Sequence, residues 1–394
     1  MRFVLPFLAA ALLAFPALAQ EQAKAQCGGE LAVWLDGMKA EAIAAGVGEK
    51  GLAALADAHD DKRVLGRDRS QQVFAQTFNE FAGRMISDYR LKQGAANLKK
   101  HAATFAKAEQ EFGVPGPVIA AFWALETDFG AVQGDFDTLN ALVTLAHDCR
   151  RPELFRPQIV PLLKLIDNGT LPASVQGAWA GELGQTQILP SDYLDKGQDG
   201  DGDGLVDLRK SPADVIVTTA NFLKSLGWKA GEGWMQEVRV PAEMDWSDSG
   251  RENQHPRSHW VAAGVTAADG SPLPSDSQPS SLVLPMGRKG PAFLIFPNFD
   301  VYLKWNQSFV YTLTAGQMAA RFAGERAYNP GNPDRGLTIE EMKQLQEKLA
   351  ARGHDVGKID GVLGTGTRTA LQKVQKELGL PADGWPTQQL LQVL

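Results

Sequence analysis

Cysteine is nearly missing from this chain: Cys27 and Cys149 are the two it has in 394 residues. That scarcity limits covalent cross-linking to one bridge, and the alternative is two free thiols. Histidine is scarce as well, with six in all, and none shows metal-ligand spacing. His255 and His259 are four apart, but Pro256 between them argues against a regular helical pair and reads as loop. No basic stretch with interleaved aromatics occurs and the formal net charge is -7, which excludes a nucleic-acid partner. No phosphate-binding loop is present, and no organic cofactor is expected. No apolar run reaches the roughly 20 residues that a membrane span requires.

The apolar run that does exist, from Phe3 to Leu18, follows Arg2 and ends in the small-residue pattern Ala17-Leu18-Ala19. It reads as a secretory signal over residues 1–19, cleaved after Ala19. Lys24-Ala25-Gln26 before Cys27 lacks the small apolar residues of a lipidated cysteine. A soluble, exported, periplasmic protein is expected, and that compartment permits a disulfide between Cys27 and Cys149. About 375 residues remain, enough for two or three folding units.

Helical periodicity dominates from Leu31 to Leu226, with Phe74, Phe78, Phe81 and Met85 as one set at helical spacing. Over residues 231–300 the texture changes to short apolar runs broken by Pro, Gly and Ser, including the polar stretch Asp269 to Ser281 and the strand-like Ala292 to Phe296. This predicts a small β-rich lobe. The tryptophans Trp228, Trp234, Trp246 and Trp260 read as core in preference to a sugar platform. Turn-formers from Tyr328 to Gly336 mark a linker over 326–336. Beyond it, Thr338 and Glu341 form a capping-box pattern for a helix burying Ile339, Met342, Leu345 and Leu349. A further helix over Thr367 to Leu378 is expected to bury Leu371, Val374 and Leu378. The fold class is mainly α, with a small β-rich lobe and a compact C-terminal helical unit over 337–394.

One acidic residue stands out. In Gly113-Val-Pro-Gly-Pro-Val-Ile-Ala-Ala-Phe-Trp-Ala-Leu-Glu-Thr-Asp-Phe-Gly130, the prolines suit a helix start and Gly130 its end, predicting a helix over Pro117 to Asp128. Ile119, Phe122 and Trp123 then share a stripe with Glu126. A carboxyl on an apolar face has a raised pKa and holds its proton near neutrality, as a general acid must. Asp128, two positions on, points elsewhere and makes a poor partner for it.

Residues Leu345-Gln-x-x-Leu349, Asp360-Gly361, Gly364, Thr367-Arg368, Leu371 and Asp383-Gly384 resemble the three-helix peptidoglycan-binding domain of wall-lytic enzymes. Val374 stands where that family usually carries an aromatic. The larger unit, 20–325, resembles the lytic murein transglycosylase B family from about Trp34 to Gly324, and that family has a lysozyme-like core. The resemblance rests on Ile119 to Gly130, on Asn140 to Ala146 with Arg150-Arg151, on Gly181 to Ser191, and on Trp305-Asn306-Gln-Ser308-Phe-Val-Tyr311. It implies Glu126 as the catalytic residue, and Arg150, Arg151, Gln187, Trp305, Asn306 and Tyr311 along the glycan groove. Trp305 replaces the usual Tyr, Ala178 stands where Ser is frequent, and Glu182 stands where Ala is frequent, adding a second carboxylate.

The implied reaction cleaves the bond between N-acetylmuramic acid and N-acetylglucosamine in peptidoglycan, with Glu126 as acid and then base and the muramyl 6-hydroxyl as nucleophile. A hydrolytic muramidase using Glu182 as second acid, or a non-catalytic wall-binding protein, are the rival readings. Finally, Asp199-Gly-Asp-Gly-Asp-Gly-Leu-Val-Asp207 fits positions 1, 3, 5, 7 and 9 of a calcium loop through Asp199, Asp201, Asp203, the Leu205 carbonyl and Asp207. Lys210 replaces the Glu of position 12, and Asp214 is the residue expected to close a structural Ca²⁺ site spanning 199–214.

Overall fold

A computed structural model describes residues 27–70 and 76–394. The expected signal segment and Phe74 lie outside the described residues. The remaining part of the first helical set forms the helix Phe78–Met85, which begins at a capping box between Thr77 and Glu80.

The fold is mainly helical, with a small curled sheet and a group of C-terminal helices. Helices from Leu31–Ala44 to Pro212–Ser225 pack around a core that includes Trp123, Tyr193, Trp228 and Tyr302. At its centre lies Gly116–Thr127, which we call the site helix. Ten of its twelve residues are buried and only Pro117 and Glu126 keep partial exposure, so the apolar stripe read from the sequence belongs to a helix enclosed on nearly every side, with Glu126 at its opening. Its start is set by Pro115 in extended backbone with Pro117 following. Its end departs from expectation. Asp128 and Phe129, at φ 51° and 60°, terminate it before Gly130. That non-glycine backbone is held in place because Arg90 grips the Asp128 carboxylate at 2.5 and 3.1 Å.

Seven strands occur among the described residues. β1 (Phe136–Asp137) pairs with β2 (Gln176–Gly177). β3 (Met235–Arg239), β4 (His255–Pro256), β5 (Thr266–Ala267), β6 (Pro279–Val283) and β7 (Phe293–Ile295) form an antiparallel sheet in the order β4-β6-β7-β3-β5. Alternation along β7 sends Phe293 and Ile295 against Phe78 and Leu313 of the helical body, while Leu294 joins Trp246 and Trp260 on the other face. Both faces are thus covered, and the β-rich lobe expected over 231–300 is present. Trp228, Trp246 and Trp260 are core residues.

Residues 325–338 carry no regular secondary structure, yet the segment is fastened down. Tyr328 packs on Phe78 and Phe293, Asn329 N–H donates to Glu237 at 2.7 Å, and Asn332 N–H to the Lys289 carbonyl at 2.8 Å. The C-terminal unit follows as Ile339–Ala351, Thr365–Glu377 and Gln388–Val393, capped by the Thr338–Glu341 box. Met342, Leu345, Leu349, Leu371 and Val374 form its core. Two expectations fail: Ile339 is 38% and Leu378 43% exposed, because each sits at a helix end, where the chain has not yet turned into the core or has already left it. The unit is docked on the sheet lobe by Arg368, which donates to the Leu284 and Pro285 carbonyls, and by Gln372, which donates to the Ser249 carbonyl at 2.7 Å.

Cys27 and Cys149 are joined, with 5.2 Å between their Cα atoms and 122 residues between them in sequence. A bridge closing so long a loop removes about 4–5 kcal/mol of unfolded-chain entropy in the chain-entropy account.

Candidate active site

Glu126 lies in the last turn of the site helix, and two further elements meet its side chain. The helix Phe299–Trp305 ends at Trp305, whose indole N–H donates to Glu126 Oε1 at 2.9 Å. The helix Phe309–Phe322 begins after Ser308, whose hydroxyl caps it by accepting from Tyr311 N–H. This places the Tyr311 hydroxyl as a second donor to Oε1. Both donors therefore converge on one oxygen. When the carboxyl is protonated, its hydrogen belongs on Oε2, since Oε1 is already surrounded by donors.

Burial pushes the Glu126 pKa up from 4.5 to about 7, against the opposing pull of the Tyr311 and Trp305 hydrogen bonds, and the charge of Glu182 adds to the rise. Tyr311 is buried, and burial together with the nearby carboxylate holds its hydroxyl pKa well above the ordinary tyrosine value; the phenol remains a donor throughout the neutral range. The Trp305 ring is fixed by Phe122 at 4.3 Å and Phe222 at 5.2 Å between ring centroids, so the indole is a rigid donor as well as an aromatic surface.

Beneath the acid, the 181–191 segment is tied to the site helix. Trp123 Nε1 donates to Gln185 Oε1 at 2.9 Å, Gln185 Nε2 donates to the Arg209 carbonyl at 3.0 Å, and the Thr127 hydroxyl donates to the Gln185 carbonyl at 2.5 Å. Gly130 sits so close that an added Cβ would lie 2.4 Å from Gln185 Oε1. Sequence reasoning missed Gln185, although it stands in the same block as Gln187 and is buried. Gln187, the expected groove residue, is half-buried and donates its amide to the Gly184 and Gln133 carbonyls, bracing its own tight turn at φ 50°.

Both the Arg150 and Arg151 guanidinium groups bind the carboxylate of buried Asp68. Burial works to raise the Asp68 pKa, but the two arginine hydrogen bonds prevail and hold it below the usual value. Arg151 still acts on the site through Glu182. Burial raises the Glu182 pKa, its own backbone opposes this, and the positive charge of Arg151 does so in part. Asn306 accepts from Ser308 N–H at 2.9 Å through its side-chain oxygen, shaping the turn between the two donor-bearing helices. It also lines a cleft of 740 Å³ between the helical body, the sheet lobe and the C-terminal unit, whose walls include Ser249, Arg251, Phe309, Arg368 and Trp385. Glu126 is not among those walls.

In the aspartate loop, Asp199, Asp201 and Asp203 each bring one carboxylate oxygen within 4.8 Å of the others. The other two expected carboxylates hold the loop backbone, as Asp199 also does through Gly202 and Gly204 N–H. Asp207 accepts from the N–H groups of Arg209 and Lys210 at 3.0 and 3.1 Å, and buried Asp214 accepts from Gly200 and Asp207 N–H at 2.8 and 2.7 Å. Their carboxylates shape the loop backbone. Leu205 remains at the exposed tip.

An acid at the C-terminal end of a buried helix, in a mainly helical body with a small sheet, defines a lysozyme-like glycan-cleaving fold. The chain belongs to the transglycosylase SLT domain family, which matches residues 30–320, in its lytic transglycosylase B branch, and residues 338–394 match a peptidoglycan-binding domain. Among solved structures it resembles SltB3 from Pseudomonas aeruginosa, crystallised with NAG-anhNAM-pentapeptide, at 37% identity and TM-score 0.86 over 93% of this chain and 99% of that one. It also resembles SltB1 from the same organism, at 27% identity and TM-score 0.64 over 75% of this chain and 98% of that one. The membrane-bound lytic murein transglycosylase B of Escherichia coli is 28% identical over 242 residues, 61% of this chain and 66% of its own length. No described helix of the present chain is long and apolar enough to cross a membrane.

Proposed function

We propose that this protein is an exported, periplasmic lytic transglycosylase that cleaves the β-1,4 bond between N-acetylmuramic acid and N-acetylglucosamine and leaves 1,6-anhydromuramic acid ends. The observation that carries the reading is Glu126: a half-buried carboxyl whose desolvation raises its pKa to about 7, its Oε1 held by Tyr311 and Trp305 and its Oε2 left to carry the proton. In the proposed reaction Oε2–H protonates the glycosidic oxygen as the bond to muramyl C1 breaks through an oxocarbenium-like state. The ionised carboxylate then takes the proton of the muramyl 6-hydroxyl while O6 bonds to C1. Water is not consumed, and Glu126 ends protonated as it began. The C-terminal unit is the wall-gripping part. SltB3 having been solved with an anhydro-muropeptide supports the same chemistry here.

A hydrolytic muramidase is the second reading, favoured by Glu182, a carboxyl with a raised pKa close enough for its charge to be felt by Glu126. Mass spectrometry of soluble products from purified sacculi separates the two. The wild type should release muropeptides one water lighter than hydrolytic products and Glu126→Gln none; reducing-end products would transfer the reading to hydrolysis.

The aspartate loop is the proposed site of a structural Ca²⁺. Three hard carboxylate oxygens at one point suit that ion, the Leu205 carbonyl is the neutral ligand it would recruit, and Asp207 and Asp214 are the further carboxylates of the proposed set. Added calcium should raise the melting temperature of the wild type and leave Asp199→Asn unmoved. Equal melting in calcium and chelator would count against the site.

A further inference from the structure

The histidines dismissed on spacing come together in the fold. His255 ends up in β4 and His259 in the first turn of the helix Arg257–Ala262, so Pro256 does not separate them; it delivers one from a strand and the other from a helix. Their rings stack at 4.1 Å with 14° between planes. Asp248 arrives from the turn Trp246–Asp248, with Oδ2 3.1 Å from His259 Nε2. One donor atom from each of the three lies within 4.8 Å of the others. The indole of Trp260, which is fully buried, meets both imidazoles edge-on at 5.3 and 4.9 Å. The side chains of His259 and Asp248 keep 34% and 37% of their surface, leaving room for a water on the open side.

We propose that Asp248, His255 and His259 bind one divalent transition-metal ion of the zinc class. Two imidazoles and one carboxylate suit a four-coordinate borderline ion and suit calcium poorly, one ring turning out of the stack about its Cβ–Cγ bond so that each nitrogen meets the ion in its own ring plane. The position gives the ion a task. The turn carrying Asp248 is the one the C-terminal unit grips, through Gln372 on Ser249 and through Lys376 on Ser247 at 3.1 Å. A cation joining Asp248 to the His255–His259 corner fastens this docking turn to the sheet lobe, far in sequence from Glu126 and from the aspartate loop.

The test titrates the metal-stripped full chain with Zn²⁺ in excess Ca²⁺, which keeps the aspartate loop from competing. One zinc per chain is expected, with affinity reduced at least about tenfold in His259→Gln and in Asp248→Asn, since loss even of outer-shell partners costs that much. Co²⁺ should give visible absorption bands of tetrahedral intensity in the wild type and none in the His255→Gln/His259→Gln double variant, whose peptidoglycan cleavage stays intact as its control for folding. Non-saturable uptake, or stoichiometric uptake that survives the double substitution, overturns the site. Hydrogen exchange over 245–253 should slow on adding zinc to the wild type alone; binding without that slowing overturns the fastening role.

Discussion

Replacing the proposed acid by its amide should stabilise this protein, and the gain should depend on pH in a direction fixed by the structure. Glu126 is ionised in the unfolded chain above its ordinary pKa of 4.5, whereas in the fold burial lifts it to about 7. Below pH 4.5 the carboxyl is protonated in both states and costs nothing. Between the two values unfolding releases a proton, so wild-type stability falls as pH rises, and above about 7 the whole penalty is present. At about 1.4 kcal/mol per pH unit the gap corresponds to about 3 kcal/mol. Glutamine keeps the shape and lets Tyr311 and Trp305 donate to its carbonyl oxygen, but carries no ionisation cost. Guanidinium unfolding of both proteins at pH 4 and pH 8 measures the difference. Glu126→Gln should match the wild type at pH 4 and exceed it by about 2–3 kcal/mol at pH 8. A difference that is flat with pH, or that favours the wild type at pH 8, refutes a buried, largely uncompensated acid at this position.

Other substitutions probe the supports of the acid. Tyr311→Phe removes a donor that favours the ionised form, so the alkaline limb of the cleavage profile should move upward by about one pH unit, the worth of one hydrogen bond to a charged group; a pH–rate series on sacculi reads it. Gly130→Ala places a Cβ 2.4 Å from Gln185 Oε1 at φ 88°, and should cost about 2 kcal/mol or more on unfolding while lowering cleavage. Asp68→Asn strips the partner from Arg150 and Arg151. Breaking this partly buried triad should destabilise by about 2–4 kcal/mol in thermal or denaturant melts, and a variant as stable as the wild type would show that the triad is ornamental.

Much of this was legible from residue order because local rules and tertiary demands agree there. The Thr338–Glu341 capping box, the start of the site helix at Pro115, the disulfide option and the raised pKa of Glu126 are of that kind. Legibility fails where a distant group decides a local conformation. Asp128 adopts left-handed backbone because Arg90, 38 residues earlier, holds its carboxylate, a contact without trace in the Asp128 neighbourhood. Gln185 and Gln187 look alike in sequence, yet one anchors Trp123 and the other its own turn; only the packing of the 181–191 segment under the site helix separates them. His255 and His259 failed a spacing test that presumes one helix, while the fold builds their cluster from a strand, a helix and a remote turn. Arg150 and Arg151 pair with the buried Asp68, which lies 82 and 83 residues away and left no sign of the pairing in their own neighbourhood.

The asymmetry at Glu126 bears on why one carboxyl can serve where many glycosidases use two. A residue that must first give and then take a proton works best when both transfers use the same atom, because nothing need rotate between them. With Tyr311 and Trp305 both on Oε1, rotation of the carboxyl would break two hydrogen bonds at about 1–3 kcal/mol each, so Oε2 stays the free oxygen through the proposed cycle. The same donors hold the pKa near 7 when burial alone would carry it higher, and a value near neutrality is where an acid and its conjugate base are equally accessible. Single substitution of Trp305 by Phe should therefore slow both halves of the proposed reaction. Glu182→Gln removes only a minor charge from the site, so it should shift the pH profile slightly downward and leave the anhydro product unchanged. Loss of all product in Glu182→Gln would mean that the second carboxyl touches the reacting atoms, and the single-acid account would have to be abandoned.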